Sequence, residues 1–249
     1  MALGGYDWVT LAVVAAGALA GGFTNGLTGF GTGLTALPFW VQVLDPLLAA
    51  QLSAASAVAS QLTTLPNLWR ELNWRRLAAP LLGGLAGMVA GLCLVPYVSL
   101  GAFKLIVGLV LVVYCTVMLI AAGRIKLSSG GSGAEAAVGF AGGVLGGIAG
   151  VPAPPAAMWV ALRAFPMQER RIFLQAFNVT VLSAMMAVSA ATGLLGPRFL
   201  WAFAISLPAS VIGVGLGWLA YRRLDNRRFD HIVLGVLLLS GIVLIWSGR

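Results

Sequence analysis

Long apolar runs separated by short basic loops dominate the chain. Residues 47–65, 77–97, 103–122, 173–195, 199–220 and 232–246 each approach the roughly 20 apolar positions that a membrane-crossing helix needs. Two other apolar stretches, 8–44 and 134–162, are rich in Gly and Pro and have the wrong length for one regular helix. Each is expected to be a bent pair of spans or a re-entrant hairpin. The expected fold class is therefore all-α, a polytopic membrane protein with about 8–10 membrane segments.

Composition sharpens this picture. Hydrophobic residues make up 60% of the 249 positions and charged residues only 9%, against roughly 25% charged in a soluble domain. So few charges cannot cover a water-facing surface. The net charge of +8 would point to nucleic acid in a soluble protein, but here the basic residues sit in short loops between apolar runs, so no nucleic-acid partner is expected. Cys93 and Cys115 lie in separate apolar runs, which gives neither a disulfide framework nor a metal cluster, and no cofactor is expected.

The basic loops orient the spans. Arg70, Arg75 and Arg76, then Arg124 and Lys126, then Arg163, Arg170 and Arg171, and finally Arg222, Arg223, Arg227 and Arg228 all fall on one side if every long stretch crosses as assigned. That places 12 of the 15 Lys and Arg in the cytoplasm and leaves Lys104, Arg198 and Arg249 outside. The assignment requires residues 134–162 to begin and end on the cytoplasmic side.

A polar, glycine-rich segment, RIKLSSGGSG at 124–133, reads as a flexible cytoplasmic linker between two membrane repeats, residues 1–123 and 134–249. Sliding the chain on itself by 117 places Gly22 and Phe23 on Gly139 and Phe140, Gly26 on Gly143, Gly29 on Gly146 and Pro38 on Pro155. In each half a Gly/Pro-interrupted stretch is followed by three regular spans. Corresponding loops carry opposite charge bias, the pattern of an inverted-topology repeat, which many secondary transporters build around a central site.

The interrupted segments are GGFTNGLTGFGTGLTALP at 21–38 and GFAGGVLGGIAGVPAPP at 139–155. This duplicated glycine-rich G-x-x-x-G-x-x-G stretch ending at a proline resembles the TauE/SafE sulfite-exporter-like membrane proteins over essentially the whole chain. The resemblance implies a multi-pass carrier in the bacterial inner, or cytoplasmic, membrane for small sulfur-containing anions such as sulfite, sulfonates or sulfoacetate-like compounds.

An anion leaving water needs hydrogen-bond donors, and the N–H groups of a broken helix provide them along with a favourable dipole. Gly26, Gly29, Gly31 and Gly33 in the first segment, with Gly143, Gly146, Gly147 and Gly150 in the second, are candidates for letting the anion approach those groups; the competing role is close helix packing. Side-chain donors in the first segment are Asn25, Thr28, Thr32 and Thr35, with no equivalent in the second before Pro155, so the site is expected to be asymmetric. The following spans supply Gln51, Ser53, Ser56 and Ser60 in one half and Gln175, Asn178, Thr180 and Ser183 in the other. Ser53, Ser56 and Ser60 share one helical face. Gln175 and Asn178 lie deep in an apolar run, where an unpaired amide costs a few kcal/mol.

All seven acidic residues fall near span ends or in loops, so no mid-membrane carboxylate is available as a proton relay. A coupling proton or cation would have to use Asp45, Glu135, His231 or the substrate itself. The rival readings are an anion channel, whose filter can use the same broken helices, and a membrane thiol-redox enzyme, which needs Cys93 and Cys115 to meet. Small residues on many faces allow a homodimer among bilayer lipids.

Overall fold

The computed structural model describes residues 5–63, 74–121, 131–163, 165–221 and 226–248, and within them every regular element is helical. The ten α-helices are α1 Trp8–Thr28, α2 Thr32–Trp40, α3 Pro46–Leu62, α4 Trp74–Leu94, α5 Leu100–Ala121, α6 Ser132–Ala149, α7 Ala153–Leu162, α8 Met167–Ala191, α9 Pro197–Tyr221 and α10 Asn226–Ser247. A 3₁₀ turn, Val95–Tyr97, follows α4. Six of them (α1, α4, α5, α6, α8 and α9) are long and apolar enough to cross a membrane, and the chain is a polytopic membrane protein.

Both interrupted stretches break as expected, each into a long helix followed by a short one. α1 starts on Asp7, whose carboxylate accepts from Thr10 N at 3.0 Å. It ends at Gly29, left-handed at φ 83°, whose N–H bonds to Asn25 O. α6 ends the same way at Gly150, with φ 67° and a bond to Gly146 O. These conformations favour glycine, which has no Cβ to clash. The two caps lie 121 residues apart, so the structure pairs Gly29 with Gly150 and Gly22 with Gly143, four residues from the register that sequence identity alone selects.

α2 folds back along α1. Trp40 at its far end donates its indole N–H to Val14 O at 3.0 Å, and Thr35 Oγ1 donates to Thr24 Oγ1 at 3.0 Å. The α1–α2 hairpin thus opens at the end where Tyr6 donates to Arg198 O at 3.1 Å. The α6–α7 hairpin opens at the other end, where Arg76 pairs with Glu169 at 3.2 Å and stacks over Phe165. Glu169 and Leu194 lie near opposite ends of α8, whose 25 residues make roughly 37 Å of helix, and this sets the two ends apart.

The packing partners mirror one another across the halves. α1 lies along α9 and α6 along α4; α3 packs on α8, and α5 on α10. Small residues make the first two pairings close. A methyl on Gly83, Gly87 or Gly91 of α4 would strike the carbonyls of Ala136, Phe140 and Val144, and one on Gly139 or Gly143 of α6 would strike those of Pro80 and Gly84. Gly22 and Gly26 of α1 meet Ser210 and Val214 of α9 in the same manner.

Several expected boundaries move. The 47–65 run is a 17-residue helix ending at Leu62, and it is a central element with Gln51, Ser53, Ser56 and Ser60 all buried, so it presents little of itself to lipid. α8 begins at Met167 instead of 173, because Pro166 opens it and Gln168, Glu169, Arg170 and Arg171 are good helix formers; both arginines therefore belong to the helix and not to a loop. The 124–133 linker falls mostly outside the described residues, although Ser132 and Gly133 already open α6. Arg70, Arg124 and Lys126 also lie outside them, as do the side chains of Arg222, Arg223, Arg227, Arg228 and His231.

Candidate functional site

The two helix breaks meet at the centre of the bundle. A methyl on Gly33, in the first turn of α2, would lie 2.6 Å from Val151 Cγ1 and 3.1 Å from Gly150 O, and it would also collide with the Ser53 hydroxyl. Ser53 Oγ in turn donates to Gly150 O at 3.2 Å, so α3 ties the second break to the first.

The first break leaves backbone donors open. Helical geometry leaves the N–H groups of Thr32, Gly33 and Leu34 without intrahelical acceptors. Thr35 N is the first to bond within the turn, to Gly31 O at 3.1 Å, and Gly31 at φ 96° caps the helix without a side chain. Two side chains here are fully buried with unpaired polar atoms: both amide atoms of Asn25 and the hydroxyl of Thr32. Not every hydroxyl nearby is available. Thr28 Oγ1 donates to Thr24 O at 2.9 Å and also contacts the backbone of Phe30, so it holds the loop itself.

α8 closes the other side of this break. A methyl on Gly29 would lie 2.7 Å from Arg171 Nε and 3.0 Å from Gln175 Nε2. Arg171, Gln175 and Asn178 follow one another at helical spacing on one face, and Asn178 is buried with Oδ1 unpaired. The guanidinium lies beside Gly29, three residues before the start of α2, and it and the helix N-terminus both carry positive potential. The sequence does not single out Arg171 as a site residue, because the expected span starts only at Phe173. Its position four residues before Gln175 was the available signal.

The second break has the same backbone and different chemistry. Pro154 and Pro155 occupy the first turn of α7, so of its first three residues only Ala153 has an N–H to offer. A methyl on Gly150 meets Ala50 O and lies 3.1 Å from Ala54 N, at the α3 positions corresponding to Arg171 and Gln175.

The remaining expected residues lie elsewhere. Gly26 faces Val214 and Trp218 of α9, while Gly143 and Gly147 face Gly84 and Met88 of α4. Gly146 abuts Pro152 and Val181. Gln51 is buried near the opposite end of α8 from Arg171, donating to Leu194 O at 3.4 Å. Ser183 is exposed. Among the described residues no three His, Cys, Asp or Glu side chains gather as metal ligands. Cys93 is exposed on α4 and Cys115 buried on α5, both as free thiols.

A sequence model of the family described as "Sulfite exporter TauE/SafE" matches residues 13–244, nearly the whole chain. No curated protein matches it, and no solved structure does.

Proposed function

This chain belongs to the sulfite exporter TauE/SafE family of membrane transporters, and from that premise we propose that it carries a small sulfur oxyanion, such as sulfite or a short sulfonate, across a bacterial inner membrane by alternating access. The observation that carries the reading is the first break: three backbone donors at the start of α2 and the unpaired Asn25 and Thr32, with Arg171 and Gln175 set against Gly29. Fully buried polar atoms without partners are destabilising by about 1–3 kcal/mol each, so the retention of the donors among them, Asn25 Nδ2 and Thr32 Oγ1, favours a bound acceptor. An oxyanion is an acceptor for N–H and O–H donors of this kind.

Alternating access is supported by the mirrored packing of the two halves and by the two hairpins entering from opposite ends, as an inverted repeat of residues 1–123 and 134–249 would have it. Rocking one set of helices against the other would expose the breaks to each face in turn.

The test is uptake of labelled sulfite and of a small sulfonate into liposomes holding the purified protein, with and without an imposed proton gradient. Saturable uptake that disappears in Arg171→Gln and Asn25→Leu is expected. Absence of uptake of either anion by folded protein would refute the substrate assignment, and flux that fails to saturate would favour a channel.

A further inference from the structure

Away from the first break, the interface of α3 with α9 holds four fully buried serines: Ser56 and Ser60 on α3, Ser206 and Ser210 on α9. Each pair is spaced by four, one turn apart on one face. The hydroxyls of Ser56 and Ser206 lie 3.2 Å apart across the interface. One turn deeper, both Ser60 Oγ and Ser210 Oγ are buried with no partner, although a serine in a helix ordinarily bonds the carbonyl one turn back.

The two helices run in the same direction from the Arg198 end, and α1 lies beside them with Gly22 against Ser210 and Gly26 against Val214. Ser206, Ser210 and then Asn25 therefore succeed one another from that end toward the break. The matching interface in the other half is apolar. Gly143, the counterpart of Gly22, packs on Gly84, and Gly84 in turn faces Phe177 and Val181, the counterparts of Ser56 and Ser60. A methyl on Gly84 would lie 2.7 Å from the Phe177 ring and 3.0 Å from Val181 Cγ2, so the space is filled with hydrocarbon.

We propose that the α3–α9 interface is the route by which the anion travels between the first break and the Arg198 end, its serine hydroxyls replacing water. This rests on the carrier reading above. Neutral hydroxyls suit passage, because they satisfy an anion without holding it as a guanidinium would. The route is closed in this structure. Phe199 and Phe203, stacked at 5.7 Å, precede Ser206 on the same face of α9, toward the Arg198 end. Pro208, between Ser206 and Ser210, removes one rung of the helical ladder where α9 would bend from α3.

The experiment is thiol accessibility in a background carrying Cys93→Ala and Cys115→Ala. Ser60→Cys, Ser210→Cys and Val181→Cys are each exposed from the Arg198 side to membrane-impermeant methanethiosulfonates, one anionic and one cationic, with rates normalised to a free thiol. Labelling at positions 60 and 210 at least tenfold faster than at 181, and faster by the anionic reagent, is expected; Phe203→Ala should speed it further. Equal labelling at 181, preference for the cationic reagent, or no labelling in protein that still transports would overturn the route.

If fast anionic labelling persists but a short sulfonate, which does not react with the reagent, gives no protection, the route stands and the substrate assignment falls. Should the cysteine variants not fold, the double variant Ser60→Ala, Ser210→Ala decides. Flux at least tenfold lower with sulfite Kd within twofold supports the route, and unchanged flux refutes it.

Discussion

Gly29 and Gly150 hold the same left-handed cap at the ends of α1 and α6, yet Gly29 lies against Arg171 and Gln175 and Gly150 against the α3 backbone at Ala50 and Ala54. The same backbone device thus supports a charged, donor-rich break in one half and a tightly packed joint in the other.

Substitution at the two glycines should separate these roles. Alanine in a left-handed conformation costs about 1 kcal/mol or more at either position. At Gly150 the new methyl also meets rigid backbone, so Gly150→Ala should lower the thermal midpoint and the folded yield. At Gly29 it meets the movable Arg171 and Gln175 side chains, so Gly29→Ala should fold while sulfite flux falls at least tenfold. Thermal unfolding in detergent and liposome uptake read the two effects.

Asn25→Leu should show function and stability moving in opposite directions. The amide is fully buried and both its polar atoms are unpaired, so an apolar side chain of similar volume removes a desolvation penalty of about 1–3 kcal/mol. The expected outcome is an equal or higher thermal midpoint with uptake abolished. A lower midpoint with uptake retained would show Asn25 to be a structural residue.

The close helix pairs predict a sharp contrast among glycines. Gly87→Leu would drive a side chain into the Phe140 carbonyl and force α4 from α6, with a cost of about 1–3 kcal/mol. Gly215→Ala meets nothing within 4 Å and should leave folding unchanged or slightly improved. Yield of monodisperse protein on size-exclusion chromatography tests both.

Helix starts should respond to the loss of their caps. Asp45 accepts from Leu48 N at 2.9 Å at the start of α3, so Asp45→Ala should cost about 1 kcal/mol without altering sulfite Kd. Asp7 has its carboxyl held below the ordinary carboxylate value by hydrogen bonds from Thr10, side chain first and then backbone. Because the folded value is depressed, its contribution is present above the unfolded value of about 3.9 and is lost as pH falls through the lower folded value. Thermal midpoints of Asp7→Asn against pH should lose that part of the acid dependence, lying below the parent near neutrality and converging on it at acid pH.

The apolar runs determined by themselves that the chain is a helical membrane protein, since hydrocarbon leaves backbone groups no partner outside a helix. The Gly/Pro segments located both breaks, and the lack of polar side chains before Pro155 foretold that the breaks would differ. Those signals are local in the chain and depend on neither partner nor register. Tertiary structure decided the rest. Whether a glycine faces a ligand or a helix depends on what lies across from it, which is why Gly26, Gly143 and Gly147 pack against helices while Gly29 faces Arg171. The meeting of Ser56 with Ser206 across 150 residues was likewise settled by long-range packing, because only the assembled bundle brings those side chains within reach of one another.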